Sequence, residues 1–478
     1  MPDFGFVGAC YQAQSITQDD QELINWYPEI DTAKADGERG VVALYPTPGF
    51  VPVTLFQASV PIRGMRAASD GNLYVVAGNA VFVVNSTFTG LVIGILLTTN
   101  GPVSLTDNGS SLYLVDGNNR YAYNFSTLVF AAVTDGAFLG GSRVDVVDNF
   151  IVYSQQNSQL WAATSLGVTT TPALSFGRKD SAPDDIVSII VNKREIFILG
   201  QRTSEVWIDA GLFPFPFQKL PGTNMQHGCV AAQSPALLGE SFAFLGQDDR
   251  GEGNVYFMDG YSPRVISTPA LNAEFATYST LADAIGMSYQ ENSHEFYILT
   301  FPTADKTWCY DITTGLWHRR ATRDNFNVYH SDHMISNAFY AGENLFGDKQ
   351  NGYMYRSSTT TFQDYPERTI PRVRRCRHLT ADLNEVYHHD FQIQFQPGVG
   401  LQSGQGVDPQ AMLKWSDDGG FTWSQEYWTS IGRAGQYKAR ARWQMLGKSR
   451  DRIYEVMVTD PVFPVIVSAN LRSSAGQN

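Results

Sequence analysis

SDGNLYVVAGNAVFVVN, residues 69–85, holds two apolar runs of β-branched and aromatic residues on either side of Gly78-Asn79. Such runs bounded by Gly, Asn and Asp read as strands, and a pair of them across a tight turn reads as a hairpin. The pattern returns at 107–124, 147–164 and 191–210, and in looser form at 240–260, 292–320 and 337–357. Aligned on Tyr74, Tyr113, Ile151, Phe197, Phe242, Phe296 and Phe339, the copies lie 39, 38, 46, 45, 54 and 43 residues apart. A four-stranded propeller blade occupies about 40–50 residues. Seven copies therefore predict an all-β fold, a seven-bladed β-propeller.

Working outward, residues 1–55 form an N-terminal arm, 56–365 the propeller and 366–478 a small C-terminal β-sandwich. The prolines of INWYPEIDTAKADGERG and LYPTPGFVPV in the arm oppose helix and favour extended chain. The arm is expected to strap across the propeller, with Val41 to Leu44 supplying a strand that closes the ring. Helical periodicity is confined to 271–286. Beyond the Pro/Arg stretch PERTIPRVRRCRH (366–378), the alternation in ARARWQM and YEVMVTD fits half-buried strands joined by a Gly-Lys-Ser-Arg-Asp turn.

With 43% hydrophobic, 13% aromatic and 17% charged residues, the chain is a folded one. Neither a signal peptide nor a membrane span is expected, and the four scattered cysteines read as reduced thiols. The net charge of −13 argues against a broad grip on a phosphate backbone. That charge is uneven: residues 1–365 hold 20 Lys and Arg against 36 Asp and Glu, whereas 366–478 hold 14 against 11. Such asymmetry suits contact between unlike surfaces.

The sharpest local motif is Ser416-Asp417-Asp418-Gly419-Gly420-Phe421-Thr422-Trp423, an Asp box of the form S-x-D-x-G-x-T-W. Ser416, Asp418, Gly420, Thr422 and Trp423 suit a structural hairpin turn. Asp boxes also resemble those of sialidases, so a glycan-binding or sialidase-like propeller acting in host-surface recognition stands as the alternative. No WD or kelch signature points to a scaffold propeller. His330-Ser331-Asp332-His333 and His388-His389-Asp390 lack metal-ligand spacing, and the acidic loops at Asp180, Asp184 and Asp185, or Asp248, Asp249 and Glu252, lack a calcium pattern. Catalytic, metal and cofactor residues are therefore expected to be none. Arg368, Arg372, Arg374, Arg375 and Arg377 are candidates for docking an acidic partner, and Arg440 and Arg442, alternating along a strand, share a face that suits an interface.

INWYPE (24–29), LYPTPGF (44–50) and the ending RWQMLGKSRDRIYEVMVTDPVFPVIVSANLR (442–472), with its W-x-x-x-G-x-x-R signature, resemble the packaged-DNA stabilisation proteins of short-tailed phages, the tail hub or nozzle family. The resemblance implies a non-enzymatic virion protein of the tail, assembled in the host cytoplasm. It implies a hexameric ring that meets the head-to-tail adaptor and holds a tail needle, tailspike or fibre. Such a ring would help retain the packaged genome and conduct it at ejection, the DNA passing through its channel without specific binding.

Overall fold

The computed structural model describes residues 4–34, 41–135, 141–247, 251–364, 368–381 and 384–476. Seven antiparallel sheets form a ring. The first blade comprises Ile62–Ala67, Leu73–Ala77, Ala80–Val84 and Gly90–Ile95, each strand hydrogen-bonded to the next in chain order. Blades two, three and four repeat that meander between Ser104 and Lys219. In the fifth the innermost position is shared by Gly228–Cys229 and Ala236–Leu238. Tight turns set the registers: Asp148-Asn149, Lys193-Arg194 and Asn292-Ser293 each join paired strands as two-residue loops with both residues at positive φ. This is the backbone twist that matches a right-handed hairpin.

Period-two alternation sends each middle strand's side chains into both neighbouring blades. Tyr74, Val76, Leu112 and Leu114 fill the first interface, Trp161, Ile189 and Ile196 the third, and Phe197, Phe242 and Tyr256 the fourth. Leu345 and Met354 of the seventh blade pack on Leu73 and Val75 of the first, which closes the ring. Burying each such side chain stabilises by about 1.5–3 kcal/mol, so the fold is held by interfaces between blades rather than by one central core.

Three sequence expectations shift. Six of the aligned anchors lie on the second strand of their blades, but Phe339 falls on the innermost strand, Met334–Tyr340, where it is 66% exposed. The second strand of that blade is Glu343–Asp348, with Leu345 in the buried place. The closing strand is Gly49–Leu55, paired with Tyr353–Ser358, not the stretch from Val41 to Leu44. Val42–Pro46 instead pairs with Trp26–Ile30, and Leu44 meets Ile466 of the sandwich. The helix is shorter than expected and begins earlier, Pro269–Phe275, capped by Thr268, whose hydroxyl accepts from the Leu271 amide.

The sandwich is built on the arm as much as on the C-terminal segment. One of its sheets orders Trp26–Ile30, Val42–Pro46, Ile466–Ala475, Val386–Phe395 and Ala441–Gln444. The other contains Arg372–Arg375, Asp451–Val458, Gln410–Ser416 and Tyr427–Ser430. Leu23–Ile24 runs parallel to the sixth blade's outer strand and antiparallel to Arg372–Arg375, so blade and sandwich share one ten-stranded sheet. The expected boundary between 365 and 366 lies outside the described residues.

Candidate functional site: the junction of propeller and sandwich

INWYPE shows why this junction is rigid. Ile24 packs with Val373, Met412 and Met457. Asn25 sits at φ +54°, where its side-chain amide donates to the carbonyls of Ala321 and Pro371 at 2.7 Å each and its oxygen accepts from the Ala321 amide at 3.1 Å. Trp26 is fully buried and donates to the Pro464 carbonyl. Tyr27 packs edge-on against Phe296 of the sixth blade. In LYPTPGF, Leu44 enters the sandwich core while Phe50 meets Phe346 and Tyr355 of the seventh blade. Each hallmark thus divides its residues between the two modules.

A charged network crosses the same place. Glu22 accepts from Arg319 of the sixth blade at 2.9 Å and faces Arg375 at 3.1 Å. Arg375 also reaches Asp20 at 2.6 Å and Glu455 at 2.7 Å, and Lys414 holds the other Glu455 oxygen at 2.8 Å. Burial opposes charge on Arg375, but Glu22, Glu455 and Asp20 outweigh it, so its pKa rises. The Trp423 ring packs against both Arg375 and Lys414, at 4.8 and 4.9 Å.

The arginine run is therefore mostly internal, which corrects its reading as a docking surface. Arg374, fully buried, donates to the carbonyls of Phe6 and Ala9 and to the Gln21 side chain, tying down the N-terminal residues. Burial pulls it down to about 10. Among the described residues Arg372, fully buried over the Phe362 ring, has its Nε and one terminal nitrogen unpartnered and Asp364 as its opposing charge, and burial pulls it down to about 9. Only Arg368 and Arg377 remain exposed, Arg368 against His333 at 3.4 Å. The sequence could not show this, because the groups that hold these arginines lie some 350 residues away in the chain, at Phe6, Ala9, Asp20, Gln21 and Glu22.

The Asp box folds as a closed turn. The Ser416 hydroxyl donates to Asp418 at 2.7 Å and accepts from the Gly420 amide at 2.8 Å. Asp418 accepts from the Thr422 amide and hydroxyl at 2.8 and 2.6 Å, and these bonds pull its carboxyl down to about 2. Gly419 and Gly420 sit at φ +77° and +97°, and a side chain on either would press on Thr17 or Asp20 of the arm. The box is thus a buttress for the arm, with its polar groups taken up internally.

The remaining candidates are also partnered locally. His330 lies between Asp305 at 2.6 Å and Asp324 at 3.4 Å, which raise its pKa. His388 and His389 face Ser449 and Ser474 from opposite sides of one strand, and Asp390 receives both Arg442 nitrogens. Asp184 is paired with Lys179, and Asp180 lies 3.2 Å from Lys219; Asp248 and Asp249 lie outside the described residues. Among the described residues no cluster of His, Cys, Asp and Glu is arranged to hold a metal, and no helix is long and apolar enough to cross a membrane. The four cysteines are free and buried.

Along the propeller axis the innermost strands enclose a cavity of about 780 Å³. Arg63 on its wall is saturated by the carbonyls of Gly78, Thr98, Asn100 and Gly101 and by the Thr98 hydroxyl, so it fastens the first blade's own loop.

A propeller fused through its own N-terminal strands to a sandwich, with its charges turned inward at the seam, defines a two-module all-β protein. Two family models place it further: Bacteriophage P22 Gp10, beta-propeller, matches residues 23–362, and Bacteriophage P22 Gp10, beta-sandwich, matches 371–474. The chain belongs to this family of phage structural proteins associated with stabilisation of packaged DNA. No curated protein matches the chain. Among solved structures, the N-terminal domain of Nup159 is similar at 11% identity over 65% of this chain and 95% of that one, with a TM-score of 0.40. The WD40 domain of Neurospora crassa Pan2 is similar at 9% identity over 66% and 96%, with a TM-score of 0.42.

Proposed function

We propose that the protein is the tail hub, or nozzle, of a short-tailed phage. Six copies form a ring below the portal and head-to-tail adaptor, carry a needle, tailspike or fibre distally, retain the packaged genome and conduct it at ejection. The observation that carries this reading is the family match across both modules. The axial cavity supports it from another side: about 780 Å³ is the size of a small-molecule pocket, which runs to about 300–1,000 Å³. A duplex therefore needs an opening shared between copies. A net charge of −13 favours passage without retention at the wall, since each phosphate contact would add salt-dependent binding.

The test is to produce particles without the protein and measure nuclease-protected DNA over time. Heads that fill and then lose their genome, and that are rescued by adding the purified protein, support the reading. Heads that hold DNA unaided, or that never fill, refute it.

A further inference from the structure

The sandwich has one open side, where the last strands of its two sheets meet. Tyr427–Ser430 ends one sheet and Ala441–Gln444 the other, and the Trp443 indole donates to the Tyr427 carbonyl at 2.8 Å across the corner. Between 427 and 450 the sequence carries six Lys and Arg and no Asp or Glu. The connecting loop is folded back on itself. A side chain on Gly432, at φ +111°, would strike Ala439; the Arg433 amide donates to the Gln436 side chain at 3.0 Å; and Tyr437 packs over Gly398. Trp428 is 60% exposed and Tyr437 74%. Arg433, Arg442 and Lys448 are matched by Asp408, Asp390 and Glu385, but among the described residues Lys438 and Arg440 have no ion pair or side-chain hydrogen bond, and both are exposed.

Exposed aromatic residues beside arginine are the composition of a protein-binding surface centre, and two unmatched positive side chains among them, Lys438 and Arg440, select a negative partner. The same chain carries that partner, since residues 1–365 hold 36 acidic against 20 basic residues. A nucleic acid is the poorer fit, because the whole molecule, at −13, repels a phosphate backbone.

We infer that the open edge, centred on Trp428, Tyr437, Lys438 and Arg440, docks on the acidic propeller of a second copy of this chain. A contact between two different faces is heterologous, so each copy offers a free edge to the next, and a rotation that closes makes the series the ring of the tail-hub reading. The inference rests on the self-assembly in the tail-hub reading and adds which surface makes it.

The experiment mixes isotope-labelled and unlabelled full-length protein, treats the mixture with a carbodiimide that joins amines to carboxylates, and maps the products by mass spectrometry. Self-association is measured in parallel for the wild type, for Lys438→Glu/Arg440→Glu and for Trp428→Ser, each checked for its fold by circular dichroism. Mixed-isotope links from Lys438 to propeller carboxylates, with association at least about tenfold weaker in the double variant and weakened by salt, are expected. Assemblies of unchanged strength in both variants, or Lys438 links confined to one copy, overturn the surface while leaving the tail-hub reading standing. A chain that stays monomeric, or whose basic edge binds duplex DNA in place of its own propeller, overturns the inference outright. The genome-retention experiment then decides the tail-hub reading separately.

Discussion

Blades two and seven have the same four-stranded architecture and opposite origins. The second blade's strands all come from one contiguous stretch, Ser104 to Ala132, whereas the seventh takes three strands from Met334–Ser358 and its fourth from Gly49–Leu55. Every contact inside the first kind of blade is local, so a change there perturbs one hairpin and its neighbours. The second kind, like the sandwich, exists only when distant segments meet. At the seam, unlike within a local blade, one residue can serve blade, arm and sandwich together.

The sharpest way to break the comparison is to remove residues 1–55. Loss of the closing strand and of Glu22, Asn25, Trp26 and Leu44 should leave no soluble, cooperatively unfolding protein, because the seventh blade and one sandwich sheet would each expose an unpaired edge. A soluble, cooperatively melting truncation would show that the arm is ornamental.

Next in size is Glu22→Gln. Removing one member of a buried charge network costs about 3–5 kcal/mol, here because Arg319 and Arg375 lose the carboxylate they share. Denaturant unfolding should show that loss, and a loss below about 1 kcal/mol, the level of an exposed pair, would mean that the network is solvated.

Arg372 and Arg375 belong to one strand and predict opposite signs. Arg375→Met should destabilise, since three carboxylates are left facing one another. Arg372→Met should stabilise by about 1 kcal/mol or more, since a buried guanidinium with two nitrogens unpartnered among the described residues, and no ion pair to the Asp364 that opposes it, is replaced by an apolar side chain. Equal losses in both variants would show that Asp364 compensates Arg372 in full.

The smallest effect belongs to the Asp box. Its carboxyl is held at about 2 against 3.8 in the open chain, so its stabilisation is complete above about pH 4 and fades as pH falls through about 2. Unfolding of the wild type and Asp418→Asn should therefore differ at pH 6 and converge toward pH 2.

What was legible in the sequence follows the same division. Blades one to six announced themselves because each hairpin carries its own alternation and turn within about 20 residues. The Asp box was readable for the same reason, since Ser416, Asp418 and Thr422 bond one another. Arg440 and Arg442 do not alternate along one strand as expected, because the strand begins at Ala441 and leaves Arg440 in the loop before it. Phe339 misled because an exposed aromatic on an innermost strand has the composition of a buried one. The arginine run misled because spacing along the chain reports neither Asp20 nor Glu22 beside Arg375. Val41 to Leu44 and Gly49–Leu55 are both extended and apolar, and only the third dimension decides which of them closes the ring.

The closing strand also imposes an order on the molecule's birth. Gly49–Leu55 is made nearly 300 residues before its partner, Tyr353–Ser358. At about 5–20 residues per second that interval lasts about 15–60 s. By its end the nascent chain holds six blades in an open arc, and only a chain extended past Ser358 can shut it. Until then the first and seventh blades keep the free edges that a shut ring lacks.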